Sequence, residues 1–302
     1  MSEKNAKKER KQKKQQTTEL RERMIQDLEL RNRSSKTIDS YIRKVAEYAK
    51  YFNQSPDLLG PEEIRTFQLY LIREKDLGAS SLNVYASALR FLYGTTLRRK
   101  WIVERVAGAK TEKKLPVVLS QEELARFFAA INSLKYRAIL VAAYAGGLRI
   151  EETVQLKPEN IDRERMVMYI TGKGSKDRYV MLSPKLYSLL RMYWIEYRPD
   201  RFSEIWMFPN QQGSHISPAS VREVCKKACH AAGIKKRVTP HSLRHAFATH
   251  LLEGGVDILK IQVLMGHKSL TTTARYVHVA IGGAHKVESP LETVPIDFNP
   301  QT

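Results

Sequence analysis

The stretch Leu264-Met-Gly-His-Lys-Ser-Leu-Thr-Thr-Thr-Ala-Arg-Tyr276 indicates how the last part of the chain folds. Gly266 is typical of a residue that ends a helix, and Ser269 is a favoured cap for the helix that follows. We therefore predict a helix over residues 269–279 that carries Tyr276 two turns from its start. An isolated tyrosine on a helix is normally a core residue with a hydrated hydroxyl, so Tyr276 alone predicts no chemistry.

The segment Thr239-Pro-His-Ser-Leu-Arg-His245 has the signature of a helix start. Thr239 is a favoured cap, and Pro240 suits the first turn because its missing N–H would have no helical partner there. His241 and Arg244 are three residues apart, so they share a face near the positive end of the helix. A guanidinium at that position can donate to two oxygens of one phosphate. By itself, the His-x-x-Arg pattern is a weak signal.

The histidines and cysteines of this half do not form a recognisable metal-ligand pattern. His241 and His245 have the i,i+4 spacing that can bind zinc, but no acid or cysteine completes the set, and His250 falls on another face. Cys225 and Cys229, the two cysteines of the chain, are four residues apart on a predicted helix and are expected to be reduced thiols. We predict no metal site and no cofactor.

Two short β-prone runs, residues 166–171 and 178–182, flank the turn cluster Gly172-Lys-Gly-Ser-Lys-Asp177. This pattern predicts a β-hairpin. Lys173 and Lys176 both lie in the turn, where lysines are usually solvated, and nothing local separates one from the other.

Arg149 follows the pair Gly146-Gly147, which breaks an apolar helical pattern. A cation at such a break is either an ordinary surface residue or is held inward by a nearby acid. Glu152 is the acid with the right spacing for that contact.

Composition favours a polyanion as the partner. The chain has 302 residues, a formal net charge of +19 and a pI of about 9.8, and nucleic acid is the commonest ligand of so basic a protein. The longest apolar run is too short to span a bilayer, and the charged N-terminus lacks the apolar core of a signal peptide. We therefore expect a cytoplasmic protein associated with the nucleoid, with no membrane partner.

The chain divides by pattern into two domains, each with its own helical periodicity. The first reads as a bundle of four short amphipathic helices, and the second as mainly α with a small antiparallel sheet. The predicted segments are a basic disordered arm over 1–16, a helical domain over 17–108, a linker over 109–119, a second domain over 120–280 and an irregular tail over 281–302. The helices predicted after the hairpin span 184–197, 217–232, 240–253, 257–265 and 269–279.

Several basic side chains of the first domain are candidates for DNA contact. Each of them is also consistent with an ordinary solvated charge, as is the arm over 1–16. The candidates are Arg43, Lys44, Arg90, Arg98, Arg99 and Lys100.

Taken together, these segments resemble the tyrosine recombinase family of phage integrases and Cre-like and Xer-like enzymes. The resemblance covers residues 17–280 and rests on five motifs in the family's order and spacing. The motifs are Ala145-Gly-Gly-Leu-Arg149-Ile-Glu-Glu152, Thr171-Gly-Lys173-Gly-Ser-Lys-Asp-Arg178, Thr239-Pro-His241-Ser-Leu-Arg244-His245, Leu264-Met-Gly-His267 and Ala274-Arg-Tyr276-Val-His.

The resemblance implies that Tyr276 attacks the scissile phosphate and leaves a 3′-phosphotyrosyl link and a free 5′-hydroxyl. It implies that Arg149 and Arg244 bind the non-bridging oxygens and that Lys173, rather than Lys176, protonates the departing 5′-oxygen. A phenol with a pKa near 10 is a poor nucleophile at neutral pH, so adjacent cations and a base are needed to activate it.

Three further roles follow from the same resemblance. His241 assists proton transfer, His267 hydrogen-bonds the phosphate and Glu152 orients Arg149. The fixed cations stabilise the crowded transition state that a metal ion stabilises in other nucleases.

The resemblance also implies the partners. The helical domain over 17–108 would be a core-binding domain that contacts double-stranded DNA at a specific recombination site. Four protomers would act on two duplexes through a Holliday junction, without ATP, and with accessory proteins in some systems. Gly282-Gly283 and the following prolines depart from the family's final helix, which leaves the docking of the tail open.

Two alternatives remain from the sequence. One is a type IB topoisomerase, which shares the nucleophile and the arginines but relaxes supercoils as a monomer. The other is a non-catalytic DNA-binding protein on the same fold. The helical first domain and the compact hairpin favour the recombinase.

Overall fold

The computed structural model describes residues 19–110, 116–172, 177–203, 205–267, 269–274 and 276–277. The described residues form two compact units, one over 19–110 and the other from 116 onward. The arm predicted over 1–16, the tail predicted over 281–302 and both turn lysines, Lys173 and Lys176, lie outside the described residues. Within the described part of the chain, no helix is both long and apolar enough to cross a membrane.

The N-terminal unit is helical throughout, as its amphipathic periodicity predicted. Leu92–Thr96 forms a π-helical turn at the end of the fourth helix, and a short fifth helix follows it, which the sequence reading did not foresee. The helices are α1 over 19–30, α2 Ser35–Phe52, α3 Pro61–Arg73, α4 Ala79–Phe91 and α5 Lys100–Val103.

Aromatic side chains fill the core of this unit. Tyr48 of α2 packs edge-on against Phe67 of α3, with ring centroids 5.1 Å apart. The hydroxyl of Tyr93 donates to the carbonyl of Pro56 at 2.8 Å, and it lies 3.3 Å from the hydroxyl of Tyr48. Burial therefore costs these phenols little, because their polar ends are hydrogen-bonded.

The C-terminal unit surrounds a three-stranded antiparallel sheet with helices. The strands are in the order β1-β2-β3, and Met168 of β2 pairs with Val180 of β3 in the buried layer. The elements are α6 Gln121–Ala129, α7 Leu134–Ala145, α8 Ile150–Val154, β1 Ile161–Asp162, β2 Val167–Ile170, β3 Arg178–Met181, α9 Pro184–Tyr197, α10 Pro218–Ala231, α11 Pro240–Glu253, α12 Ile258–Met265 and α13 Leu270–Ala274. The predicted fold class is confirmed, with the addition of β1.

The helix predicted over 269–279 is too long. Helix α13 ends at Ala274, and Tyr276 lies in a turn beyond it instead of two turns into a helix. The N–H groups of Tyr276 and Val277 bond to carbonyls three residues earlier, at 3.0 and 3.1 Å. Residues 271–273 are all threonine and lie within α13, and their β-branched side chains have low helix propensity, which favours a short helix.

Helix α11 is the central element of this unit. It begins as predicted, with the hydroxyl of Thr239 accepting from the N–H of Ser242 and with Pro240 in the first turn. All its residues from Ser242 to Thr249 are buried. Gly147, between α7 and α8, has φ of +58°, and a Cβ there would lie 2.4 Å from the ring of Phe247 on α11. Glycine is therefore required for the loop before α8 to approach α11.

Candidate active site

Three guanidinium groups lie close to one buried carboxylate, that of Glu152 in α8. Arg178, the first residue of β3, makes a two-pronged contact with it at 3.1 and 2.8 Å. Arg149, the residue before α8, donates from its side chain to Glu152 at 2.7 Å and from its backbone N–H at 2.9 Å. The guanidinium of Arg244 lies 3.8 Å from the same carboxylate. Residues far apart in sequence thus meet at one acid.

The electrostatics of Glu152 follow from this setting. Burial alone would raise its pKa, because it disfavours the charged carboxylate. The hydrogen bonds and positive charges of Arg178 and Arg149 outweigh burial and hold the pKa of Glu152 at about 2. The carboxylate is therefore ionised at neutral pH.

Arg178 is part of this cluster, although the sequence analysis predicted no role for it. Its side chain is only 6% exposed, and its Nε donates to the carbonyl of Leu264 at 2.8 Å. Arg178 thereby ties β3 to α8 and α12. In the sequence, only its place at the end of the hairpin motif pointed to a role for Arg178. Its partner Glu152 could not be inferred, because it is 26 residues away in the sequence.

Arg244 is almost completely buried, with 1% of its surface exposed. Its guanidinium donates to the carbonyl of Gly147 at 2.6 Å and to the carbonyl of Met265. Burial lowers the pKa of Arg244 to about 10, and the charges of Arg149 and Arg178 act in the same direction. The group nevertheless stays protonated at neutral pH.

Tyr276 lies beside this cluster and is 2% exposed. The negative charge of its phenolate form would raise the pKa of Arg244. The hydroxyl lies 3.0 Å from Nδ1 of His245, and the ring is nearly parallel to that of His267, with centroids 6.2 Å apart. His267 is itself held by a 2.8 Å hydrogen bond between its Nδ1 and Thr273.

His241 and His245 occupy successive turns of α11. Their ring centroids are 4.3 Å apart, with His241 exposed and His245 buried. The structure thus brings His241, Arg244, His267 and Tyr276 into the same region as His245, which the sequence reading considered only as a metal ligand. Lys173 is among the residues that the structure does not describe.

Among the described residues, no group of three or more His, Cys, Asp or Glu side chains is arranged to hold a metal ion. Cys225 and Cys229 are both buried on α10 as free thiols, as predicted.

The basic side chains of the N-terminal unit fall into two sets. Lys44 is hydrogen-bonded to Glu47 and Tyr85, and Arg99 donates to the carbonyl of Asp57 at 2.7 Å. Arg90 is exposed, yet it donates to the carbonyl of Val106. The remaining candidates, which are exposed, are Arg43, Arg98 and Lys100.

The arrangement in the C-terminal unit suits a phosphodiester. Clustered guanidiniums supply donors and positive charge for the non-bridging oxygens, and the nearby phenol is a nucleophile of the kind that forms covalent intermediates. Arg149, with 42% of its side chain exposed, is the most accessible cation of the cluster around Glu152. An incoming anion would therefore meet Arg149 first.

Comparison with known proteins identifies the class and then the family. Residues 117–281 match the phage integrase family, and residues 20–103 match the N-terminal SAM-like domain of phage integrases. The chain is a tyrosine recombinase, an enzyme that cleaves and rejoins DNA. It belongs to the phage integrase family.

Individual relatives agree with this assignment. The Sinorhizobium fredii protein y4qK, named as an integrase/recombinase, is 48% identical over 281 residues, which cover 92% of this chain and 90% of that protein. Tyrosine recombinase XerC of Natranaerobius thermophilus is 33% identical over 82% of this chain and 90% of its own length. The XerH site-specific recombinase, in a post-cleavage complex with palindromic difH substrate, has a TM-score of 0.69 at 26% identity, over 83% of this chain and 78% of XerH. These names favour the recombinase over the topoisomerase alternative.

Proposed function

We propose that this enzyme is a site-specific recombinase in which Tyr276 cuts DNA by forming a 3′-phosphotyrosyl bond. The observation that carries the proposal is the packing of Tyr276 against His245 and His267, with His245 adjacent in sequence to the buried Arg244. A phenol in this setting has cations close by to balance the charge that develops during attack.

The reaction balances as a phosphoryl transfer. The phenolic oxygen of Tyr276 bonds to phosphorus as its proton passes to solvent with the help of His241, and the bond from phosphorus to the 5′-oxygen breaks. Arg149 and Arg244 stabilise the non-bridging oxygens, and Lys173 gives a proton to the leaving 5′-oxygen. In rejoining, a 5′-hydroxyl attacks the phosphotyrosine and the phenol leaves. Because the phosphotyrosine conserves the energy of the broken bond, rejoining needs no ATP.

The remaining site residues assist this step. His241, exposed at the start of α11, assists proton transfer, and His267 hydrogen-bonds the phosphate. Glu152 holds Arg149 through two hydrogen bonds, so it orients the most accessible of the clustered cations. These assignments are supported by contacts within the site. His241 packs against His245, His267 packs against Tyr276, and Glu152 lies 2.7 Å from Arg149 and 3.8 Å from Arg244.

The DNA is bound by both domains. The segment 17–108 is the core-binding domain, 109–119 the linker and 120–280 the catalytic domain. The recombinase XerH, similar over most of this chain, is known in complex with its difH substrate, which supports double-stranded DNA with a specific site as the partner. Each site cuts one strand, so four protomers exchange strands between two duplexes through a Holliday junction, with accessory proteins where the reaction requires them.

Trapping the covalent intermediate tests the proposal. A nicked duplex carrying the native recombination site loses the short 5′-hydroxyl fragment after cleavage, so the protein–DNA adduct accumulates. We expect the wild type to form this adduct and Tyr276→Phe to form none. Tyr144→Phe is the matched control, because Tyr144 also pairs with a histidine of α11, at 3.0 Å from His250. Equal trapping by wild type and Tyr276→Phe would exclude Tyr276 as the nucleophile.

A further inference from the structure

His245 has no part in the chemistry proposed above, yet it contacts the nucleophile directly. Its Nδ1 lies 3.0 Å from the hydroxyl of Tyr276, and the ring centroids are 5.6 Å apart. Both side chains are buried. A hydrogen bond in a buried setting is directional and costly to break, so this contact fixes where the phenolic oxygen lies.

The local backbone cannot fix that oxygen by itself. Helix α13 has five residues and ends before Tyr276, which follows in a turn. The ring packs in an apolar cluster that includes Phe247 and Met265. Such contacts hold the body of a ring without setting a direction for its hydroxyl. The hydrogen bond to His245 supplies a directional anchor.

Helix α11 carries both His245, which contacts the nucleophile, and Arg244, which we propose binds the phosphate. Arg244 and His245 are consecutive, and Arg244 is tied to the carbonyls of Gly147 and Met265. One turn of helix thus fixes the positions of both the Arg244 guanidinium and the His245 ring. The distance between nucleophile and phosphate then depends on α11 as well as on the turn that contains Tyr276.

We propose that His245 is a positioning residue for the nucleophile, with Nδ1 accepting a hydrogen bond from the Tyr276 hydroxyl and holding the phenolic oxygen in place. This inference rests on the proposed function. His245 acts through Tyr276 and does not bond the phosphate, so its loss affects cleavage and not DNA affinity. Misplacing a reacting group by about 1 Å commonly costs on the order of 100-fold in rate.

Two substitutions at this position separate hydrogen bonding from packing. His245→Ala removes the acceptor, whereas the amide oxygen of His245→Asn can lie where Nδ1 accepted. In single-turnover adduct formation on the nicked duplex, we expect His245→Ala to be slower by about 100-fold and His245→Asn to recover most of the rate. We expect DNA affinity, measured by fluorescence anisotropy, to be unchanged in both variants.

The same helix offers a matched control. His250 pairs its Nδ1 with the hydroxyl of Tyr144 at 3.0 Å, so it makes the same type of contact away from the clustered arginines. We expect His250→Ala to cleave at the wild-type rate. A slowed His250→Ala would mean that any lost histidine–tyrosine contact on α11 impairs the enzyme, and the inference would be wrong.

A sulfur-substituted substrate gives a second readout. Sulfur at the 5′-bridging position leaves as a thiolate and needs no proton, so this DNA should restore cleavage by Lys173→Ala. It should not restore His245→Ala, whose defect lies in the nucleophile. Recovery of His245→Ala on this DNA would contradict the positioning role.

The outcomes also distinguish the inference from the proposed function. If the wild type forms no adduct, the proposed function fails and the inference fails with it. If the wild type forms the adduct and His245→Ala matches or exceeds its rate, the function stands and the inference is wrong. If His245→Asn melts like the wild type but cleaves as slowly as His245→Ala, the hydrogen-bond acceptor is not what matters, and the inference is again wrong.

Discussion

Glu152 compensates the charge of the buried guanidinium of Arg178 and part of that of Arg244. Replacing it with glutamine keeps the shape but leaves buried positive charge without a counterion. We expect Glu152→Gln to lower the free energy of unfolding by about 3–5 kcal/mol in urea titrations. Glu151→Gln is the neighbouring control, because its pair with Arg222 is exposed and should contribute at most about 1 kcal/mol. Similar losses for both variants would contradict this account.

The effect of Glu152 should also depend on pH. Its pKa is lowered to about 2 in the folded protein, so the stability that it contributes is present above its unfolded pKa and is lost as the pH falls towards the folded pKa. The difference in unfolding free energy between wild type and Glu152→Gln should therefore be constant near neutral pH and shrink below about pH 4.5. A difference that grows on acidification would be inconsistent with the lowered pKa.

Arg244 should matter for cleavage more than for DNA binding. Arg244→Lys retains a positive charge but loses the fork that can bind two oxygens at once. We expect adduct formation to slow by about 100- to 1,000-fold, as for loss of one transition-state donor, while affinity for the duplex changes little. Parallel losses of binding and cleavage would show that Arg244 contributes to ground-state binding or to folding instead.

The residues that the sequence reading identified are those whose signals are local or shared with the family. Thr239, Pro240 and Gly266 act within their own turns of chain, and their predicted caps are confirmed. Arg178 and His245 were given no role because their partners lie 26 and 31 residues away in the sequence. Such contacts are created by tertiary packing, which periodicity does not encode.

At the scale of elements, the approach of the α7–α8 loop to α11 controls where Arg149 lies. Gly147→Ala adds a methyl group 2.4 Å from the ring of Phe247 and imposes a side chain at φ of +58°. Gly233→Ala is the control, because Gly233 has φ of +65° with no atom within 4 Å of the added Cβ. We expect Gly233→Ala to cost about 1–2 kcal/mol from the backbone alone and Gly147→Ala roughly 1–3 kcal/mol more. Equal costs in thermal unfolding would mean that the loop relaxes without strain.

The helices and strands differ in how well the sequence predicted them. Helices α9 to α12 agree with the predicted ranges because caps, prolines and apolar periodicity coincide there. Strand β1 was missed because two residues show no periodicity. Helix α13 was predicted too long because the spacing of apolar residues continues past Ala274, whereas the three threonines within the helix have low helix propensity.

At the scale of the whole molecule, each unit has its own core. The aromatic cluster around Tyr48 and Phe67 fills one, and the sheet with α7, α9 and α10 fills the other. The five motifs of the sequence all fall in the C-terminal unit. The N-terminal unit contains none of the motif residues.

Charge then predicts how the molecule binds DNA. With a net charge of +19, phosphate contacts should dominate the affinity for any duplex. Each neutralised phosphate releases counterions, so the logarithm of the association constant should fall against the logarithm of salt concentration with a slope of about −0.9 per contact. Fluorescence anisotropy with an arbitrary duplex, from low to moderate salt, measures this slope.

The same slope identifies which basic side chains touch the backbone of the DNA. Arg43 and Lys100 are exposed, whereas Lys44 is held by Glu47 and Tyr85. If both exposed residues contact phosphates, the double variant Arg43→Gln with Lys100→Gln should reduce the magnitude of the slope by about 2, and Lys44→Gln should leave it unchanged. A salt response that is flat in the wild type would reject extensive backbone contact, because counterion release cannot be absent where several phosphates are neutralised.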